Sequence, residues 1–74
     1  MSENVFFNPG QSVSSDYDFD KAYVSAQIYH SKSKKPVLVV QEQDGKPYFI
    51  FDEKAALKES EKKASKYLIV KRLE

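Results

Sequence analysis

Residues 36–52 read PVLVVQEQDGKPYFIFD, and the fold is decided by what Asp44-Gly45 does in the middle of them. Two runs rich in β-branched and aromatic residues, 37–43 and 46–51, flank that dipeptide, which is the pattern of a β-hairpin with a two-residue loop. Asp-Gly suits a type I′ turn, whose two central residues both take positive φ. A loop of this length fixes the register. Gln43 then faces Lys46. Val40 meets Phe49 and Leu38 meets Phe51 on one side, while Val39 meets Ile50 and Gln41 meets Tyr48 on the other. Both sides of the hairpin are largely apolar, and a slipped register rarely pairs residues so well. Pro47 has no N–H to give. Beside a hydrogen-bonded Gln43–Lys46 pair, its nitrogen points away from the hairpin partner. A strand on that outer side is therefore expected to end before Pro47.

On the C-terminal side, Asp52 is a good helix N-cap and Glu53 falls in the first turn. Residues 53–66 are rich in Ala, Glu and Lys, which favour helix, and Glu59–Lys63 adds an i,i+4 pair. The apolar face of this expected helix is thin: Ala56, Leu57, Ser60 and Ala64. Residues 67–73 (YLIVKRL) read as a closing strand, with Leu68 and Val70 opposite Tyr67 and Ile69.

On the N-terminal side, 31–35 (SKSKK) is a polar connector, and Pro36 biases Lys35 away from helix. Residues 16–31 admit two readings. As a helix, Phe19, Ala22, Tyr23, Ala26 and Tyr29 share a face, and Asp16, Asp18 and Asp20 surround the N-terminus. As a strand, Ala22, Val24, Ala26 and Ile28 alternate with Tyr23, Ser25, Gln27 and Tyr29. An internal echo favours helix: Phe19-Asp20-Lys21-Ala22 and Phe51-Asp52-Glu53-Lys54-Ala55 each open a segment leading through a Lys-Lys pair to an apolar run. Residues 4–7 (NVFF) suit a first strand with Val5 and Phe7 on one face, ended by Asn8-Pro9-Gly10; 8–15 are expected as loop.

The expected fold class is α+β, a single two-layer domain over 1–74 with residues 1–3 and 74 frayed. The helix reading gives βαββαβ, a ferredoxin-like antiparallel sheet with two helices on one face. The strand reading gives a βββαβ meander with one helix.

A chain of 74 residues makes one small domain, and its five Tyr and five Phe fill a core economically. Cysteine is absent, so no disulfide or thiolate metal site is available, in keeping with a reducing, cytoplasmic setting. Twelve basic and eleven acidic side chains leave a net charge of +1, which predicts no strong attraction to nucleic acid. The start MSENVFFNPG has no basic n-region and long apolar run, so neither a signal peptide nor a membrane association is expected.

Catalytic chemistry is not expected. His30 is the single histidine, and the two glycines, Gly10 and Gly45, make no phosphate-cradling loop. Asp16-Tyr17-Asp18-Phe19-Asp20 starts like a calcium loop, but Lys21 replaces the turn glycine and Gln27 the bidentate glutamate, so no metal or cofactor is assigned. Two helices hide only one sheet face. With Leu38, Val40, Phe49 and Phe51 under them, the other face would expose Val39, Gln41, Tyr48 and Ile50, joined by Tyr67 and Ile69, as a docking surface. The expected function is thus a non-enzymatic protein-binding module, an adaptor or stoichiometric inhibitor, whose partner is another protein or a second copy. A structural homo-oligomer is one alternative. Single-stranded nucleic-acid binding is another: residues 45–51 (GKPYFIF) resemble, in part, the aromatic strand of RNA-recognition folds, with Tyr48 outward beside Lys46 and with Lys54, Lys58, Lys62 and Lys66 as a ridge on the second helix.

Overall fold

The structure, a computed structural model, describes residues 4–74. The fraying expected at residues 1–3 lies outside the described residues. Five antiparallel strands form one sheet: β1 (Asn4–Phe7), β2 (Ser14–Asp16), β3 (Val37–Gln41), β4 (Tyr48–Asp52) and β5 (Ser65–Leu73), in spatial order β1-β5-β3-β4-β2. Among the described residues there is one α-helix, α1 (Phe19–Ser33), between β2 and β3.

The hairpin carries the expected register, with Leu38 opposite Phe51, Val39 opposite Ile50, Val40 opposite Phe49 and Gln41 opposite Tyr48. Its turn differs. Gly45 has φ 88°, but Asp44 does not have positive φ, so the turn is not type I′; the Lys46 N–H donates to the Gln43 carbonyl at 3.1 Å. Positive φ at the third turn position alone is the type II requirement, and glycine meets it without a Cβ penalty. Pro47 acts as its geometry demands. On the outer side of β4, β2 pairs Ser14 with Ile50, Ser15 with Phe49 and Asp16 with Tyr48, and stops there. Residues 8–15, expected as loop, thus contain a 3-10 turn at Pro9–Gln11 and the start of this strand.

From β2 the chain turns directly into α1. The Asp18 N–H donates to Asp16 Oδ1 at 2.8 Å, and Asp18 as N-cap accepts from the Asp20 N–H at 2.9 Å. The aspartates serve helix initiation, where carboxylates satisfy free N–H groups. At the other end Lys34 caps in the left-handed region, φ 61°, two residues before Pro36. Ala22 and Ala26 are fully buried and let α1 lie close against Val37, Val39 and Ile50, with Phe19, Tyr29, Tyr48 and Leu73 around them.

The second helix is a correction. Residues 53–55 form only a 3-10 turn, capped by Asp52 Oδ1 accepting from the Lys54 N–H at 2.9 Å. Two tight turns follow, Lys58 to Glu61 and Glu61 to Ala64. Propensity and a good cap are insufficient without an apolar face to bury, because packing supplies most helical stability. Leu57 instead pairs with the outer edge of β1, its N–H donating to the Phe6 carbonyl at 2.7 Å. The βαββαβ arrangement, the two-helix layer and the internal echo are therefore overturned. The βββαβ alternative also fails, because the helix follows the second strand.

The choice of face is reversed as well. The helix covers the Val39–Ile50 side. On the opposite side Phe7, Leu38, Val40, Phe51 and Tyr67 make a second core, fringed by Val5, Phe49, Ala55 and Ile69. Phe7 lies on β1 and Phe51 on β4, with β5 and β3 between; in a flat sheet those strands would be about 14 Å apart. Their rings stack at 4.1 Å with planes 1° apart, so the sheet curls strongly and closes this face on itself. A bulge helps. Val39 pairs with Lys71 but Val40 with Ile69, leaving Val70 unpaired. That extra residue reverses the side-chain parity along β5, so Ile69 stays with the aromatic core while Leu73 joins the helix side.

The Tyr67 hydroxyl is buried in the aromatic core without a hydrogen-bond partner. Burial, and secondarily the charge of Glu42, push its pKa above the ordinary value. A raised folded-state pKa means the stability tied to neutral Tyr67 is complete below the unfolded value of about 10 and is lost as pH rises through the folded value. Tyr67→Phe is accordingly expected to leave neutral-pH stability unchanged or raise it by up to about 1 kcal/mol, and to blunt the alkaline loss. Urea unfolding at neutral and alkaline pH measures both; a loss above about 1 kcal/mol at neutral pH would mean the hydroxyl has a partner.

Candidate functional site

The six residues expected on an open sheet face do not form one. Val39 and Ile50 are fully buried beneath α1, and Tyr67 is fully buried in the opposite core. Tyr48 is half-buried, with Phe19 edge-on to its ring at 5.4 Å. Gln41 spends its amide locally, Nε2 donating to the Lys46 carbonyl at 2.9 Å. Ile69 packs at the fringe of the aromatic core. Four of the six thus lie on the helix side and two on the other, and neither side presents an open apolar sheet.

The lysine ridge needed the second helix and disappears with it. Lys46 sits beside the hairpin turn, Lys54 on the 3-10 turn, Lys58 and Lys62 in the tight turns and Lys66 on β5. The neighbouring Lys35 amine, by its contact and then its positive charge, holds the Lys54 pKa below the usual lysine range. Asp52 stands next to them and accepts from the Tyr29 hydroxyl at 3.3 Å. Burial, then the Asp52 charge and hydrogen bond, raise the Tyr29 pKa. Arg72 reaches Glu53 at 2.9 Å and Glu74 at 3.0 Å, exposed pairs worth about 0–1 kcal/mol each.

Among the described residues, no group of three His, Cys, Asp or Glu side chains could hold a metal ion. None of their helices is long and apolar enough to cross a membrane. The described residues line shallow concavities. A cleft of about 340 Å³ lies between the 3-10 turn after β1 and the tight turns of 58–64, lined by Asn8, Gln11, Leu57, Glu61, Lys62 and Lys63. A groove of about 230 Å³ lies between β2 and α1, lined by Val13, Ser14, Ser25, Ile28, Tyr29 and Lys32.

The second concavity adjoins the main exposed apolar surface. Among the described residues, the exposed large hydrophobic side chains are Val13 (40%), Tyr17 (74%), Val24 (52%), Ile28 (54%) and Val70 (40%). Four of these five belong to the β2–α1 flank. Val13 and Ile28 line the groove together, and Val24 is one helical turn from Ile28. Sequence reasoning missed this surface, although a signal was present. In the helix reading, Val24 and Ile28 fall off the face formed by Phe19, Ala22, Ala26 and Tyr29, leaving two apolar side chains spaced i,i+4 toward water.

No family model, curated protein or solved structure matches this chain.

Ile50→Ala and Ile28→Ala distinguish the two surfaces. Ile50→Ala removes fully buried side-chain volume and is expected to cost about 2–4 kcal/mol, whereas Ile28→Ala stays within about 0.5 kcal/mol of the wild type. Chemical denaturation measures both, and equal losses would contradict the placement of α1.

Proposed function

We propose that this chain is a non-catalytic protein-binding module, an adaptor or stoichiometric inhibitor, that docks through the β2–α1 flank. One observation carries the reading: among the described residues, four of the five exposed large apolar side chains lie on this flank, while both faces of the sheet are filled from within the chain. Monomeric domains seldom leave contiguous apolar surface exposed unless something covers it. The groove between β2 and α1 gives the surface relief, and Lys32 and Tyr29 add polar groups at its rim. Lack of cysteine supports a reducing compartment such as the cytoplasm as the working location.

A second reading, contact with single-stranded nucleic acid, is favoured by the adjacent Lys35 and Lys54 ammonium groups. Asp52 and Glu53 interleave with them, and the α1 C-terminus directs its carbonyl dipole toward the same end, so the site repels phosphate as well as attracting it.

Both readings meet in one experiment. Tagged wild type and a Val24→Glu/Ile28→Glu variant are used to capture proteins from native lysate, with and without nuclease. A protein partner kept by the wild type, lost by the equally folded variant and indifferent to nuclease supports the α1 flank. Equal capture by both chains rules the flank out, and capture that vanishes with nuclease supports the nucleic-acid reading.

A further inference from the structure

We infer that the occupant of this flank is a second copy of the same chain, its α1 packed antiparallel to the first about a two-fold axis level with Ala26. This rests on the protein-binding reading and specifies its partner. The helix runs from Phe19 to Ser33, so Ala26 is its midpoint. Val24 and Ile28 stand at equal distances on either side of that midpoint. Asp20 and Lys32 do the same one turn further out, and Asp18 and Lys34 flank the two ends. Asp20, Val24, Ile28 and Lys32 are spaced i,i+4 and so form one row along the helix, and all four are exposed. An antiparallel two-fold sets Val24 against Ile28 of the second copy and Asp20 against Lys32 of the second copy, each contact made twice.

The charge order selects this partner over a generic apolar one. Along the exposed row the acid stands at the start and the base at the end, Asp20 against Lys32, with Asp16 and Asp18 before the helix, Lys34 and Lys35 after it, and Lys21 beside Asp20 in the first turn. A parallel arrangement would place Asp20 on Asp20 and Lys32 on Lys32. The antiparallel one brings Asp20 to Lys32 of the second copy at both ends and opposes the two helix dipoles. Pairing through sheet edges is blunted by comparison. The outer edge of β1 is bridged at Phe6 by Leu57, and β2 offers only three residues.

The row from Asp20 to Lys32 is about 18 Å long, so the contact belongs with small interfaces and weak association. Sedimentation equilibrium from about 1 µM to 1 mM spans the dissociation constants such an interface gives. The wild type is expected to dimerise within that range, more weakly at high salt. Lys32→Asp alone and Asp20→Lys alone each create like-charge contacts and are expected to weaken self-association at least about tenfold, with helicity by circular dichroism retained. Mixing the two variants restores the dimer as a heterodimer, and so does the Asp20→Lys/Lys32→Asp double variant. A loss of fold or of general solubility would produce neither rescue. A wild type that stays monomeric to about 1 mM overturns the second-copy inference. So do single variants that dimerise as well as the wild type, or a mixture that fails to rescue. In that event the binding module itself stands or falls on the lysate capture by Val24→Glu/Ile28→Glu.

Discussion

Four consecutive residues of β3, Val37 to Val40, are buried, so this strand needs cover on both sides of the sheet. Alternating side chains send Val37 and Val39 one way and Leu38 and Val40 the other. Each side must lose its water, since every fully buried Val or Leu contributes about 1.5–3 kcal/mol and the domain is too small to forgo either set. The chain meets this demand with two unlike covers. One is a helix whose contact residues are alanines, which lets it approach closely. The other is the sheet itself, curled until Phe7 of β1 stacks on Phe51 of β4.

The second cover accounts for the aromatic content. Phe7, Phe49, Phe51 and Tyr67 pack ring against ring, with centroids 4.1 to 6.4 Å apart, and fill a space that a second helix would otherwise occupy. Such pairs add about 0.5–1.5 kcal/mol beyond the area they bury. The Val70 bulge and the Leu57 bridge complete the closure. The first bends β5 and redirects Leu73 to the helix side; the second bridges the edge of β1 at Phe6. The unpartnered Tyr67 hydroxyl marks where this packing costs something, because a phenylalanine would meet the same geometric demand without a buried polar atom.

Much of this was legible in the sequence because local chemistry matched the fold. The hairpin register followed from Asp44-Gly45 and two apolar runs. The aspartates at 16, 18 and 20 marked the start of α1, and Pro47 announced that any strand outside the hairpin would end before reaching it. The errors share a cause, which is that burial is a property of the whole chain. Residues 53–66 have helical composition and a cap but little to bury, so the helix does not form. A hairpin apolar on both sides gives no sign of which side the helix takes, and the helix on the Val39–Ile50 side buries those two members of the expected docking surface. Strand β2, Ser14-Ser15-Asp16, lacks the β-branched and aromatic residues that reveal strands, and only its pairing with β4 makes it one. Once both faces are filled, the apolar surface left over lies on the outside of α1. There Asp20 near its start and Lys32 near its end share one exposed row with Val24 and Ile28.

The arrangement of covers is tested most directly by through-space proton contacts in solution, measured by nuclear Overhauser spectroscopy on isotope-labelled protein. Cross-peaks from the Ala22 and Ala26 methyls to Val39 and Ile50, together with Phe7 ring protons to Phe51 and no sequential helical pattern over 56–64, are the predicted result. Contacts from Ala22 and Ala26 to Leu38 and Val40, or a continuous helical pattern through 53–66, would contradict it.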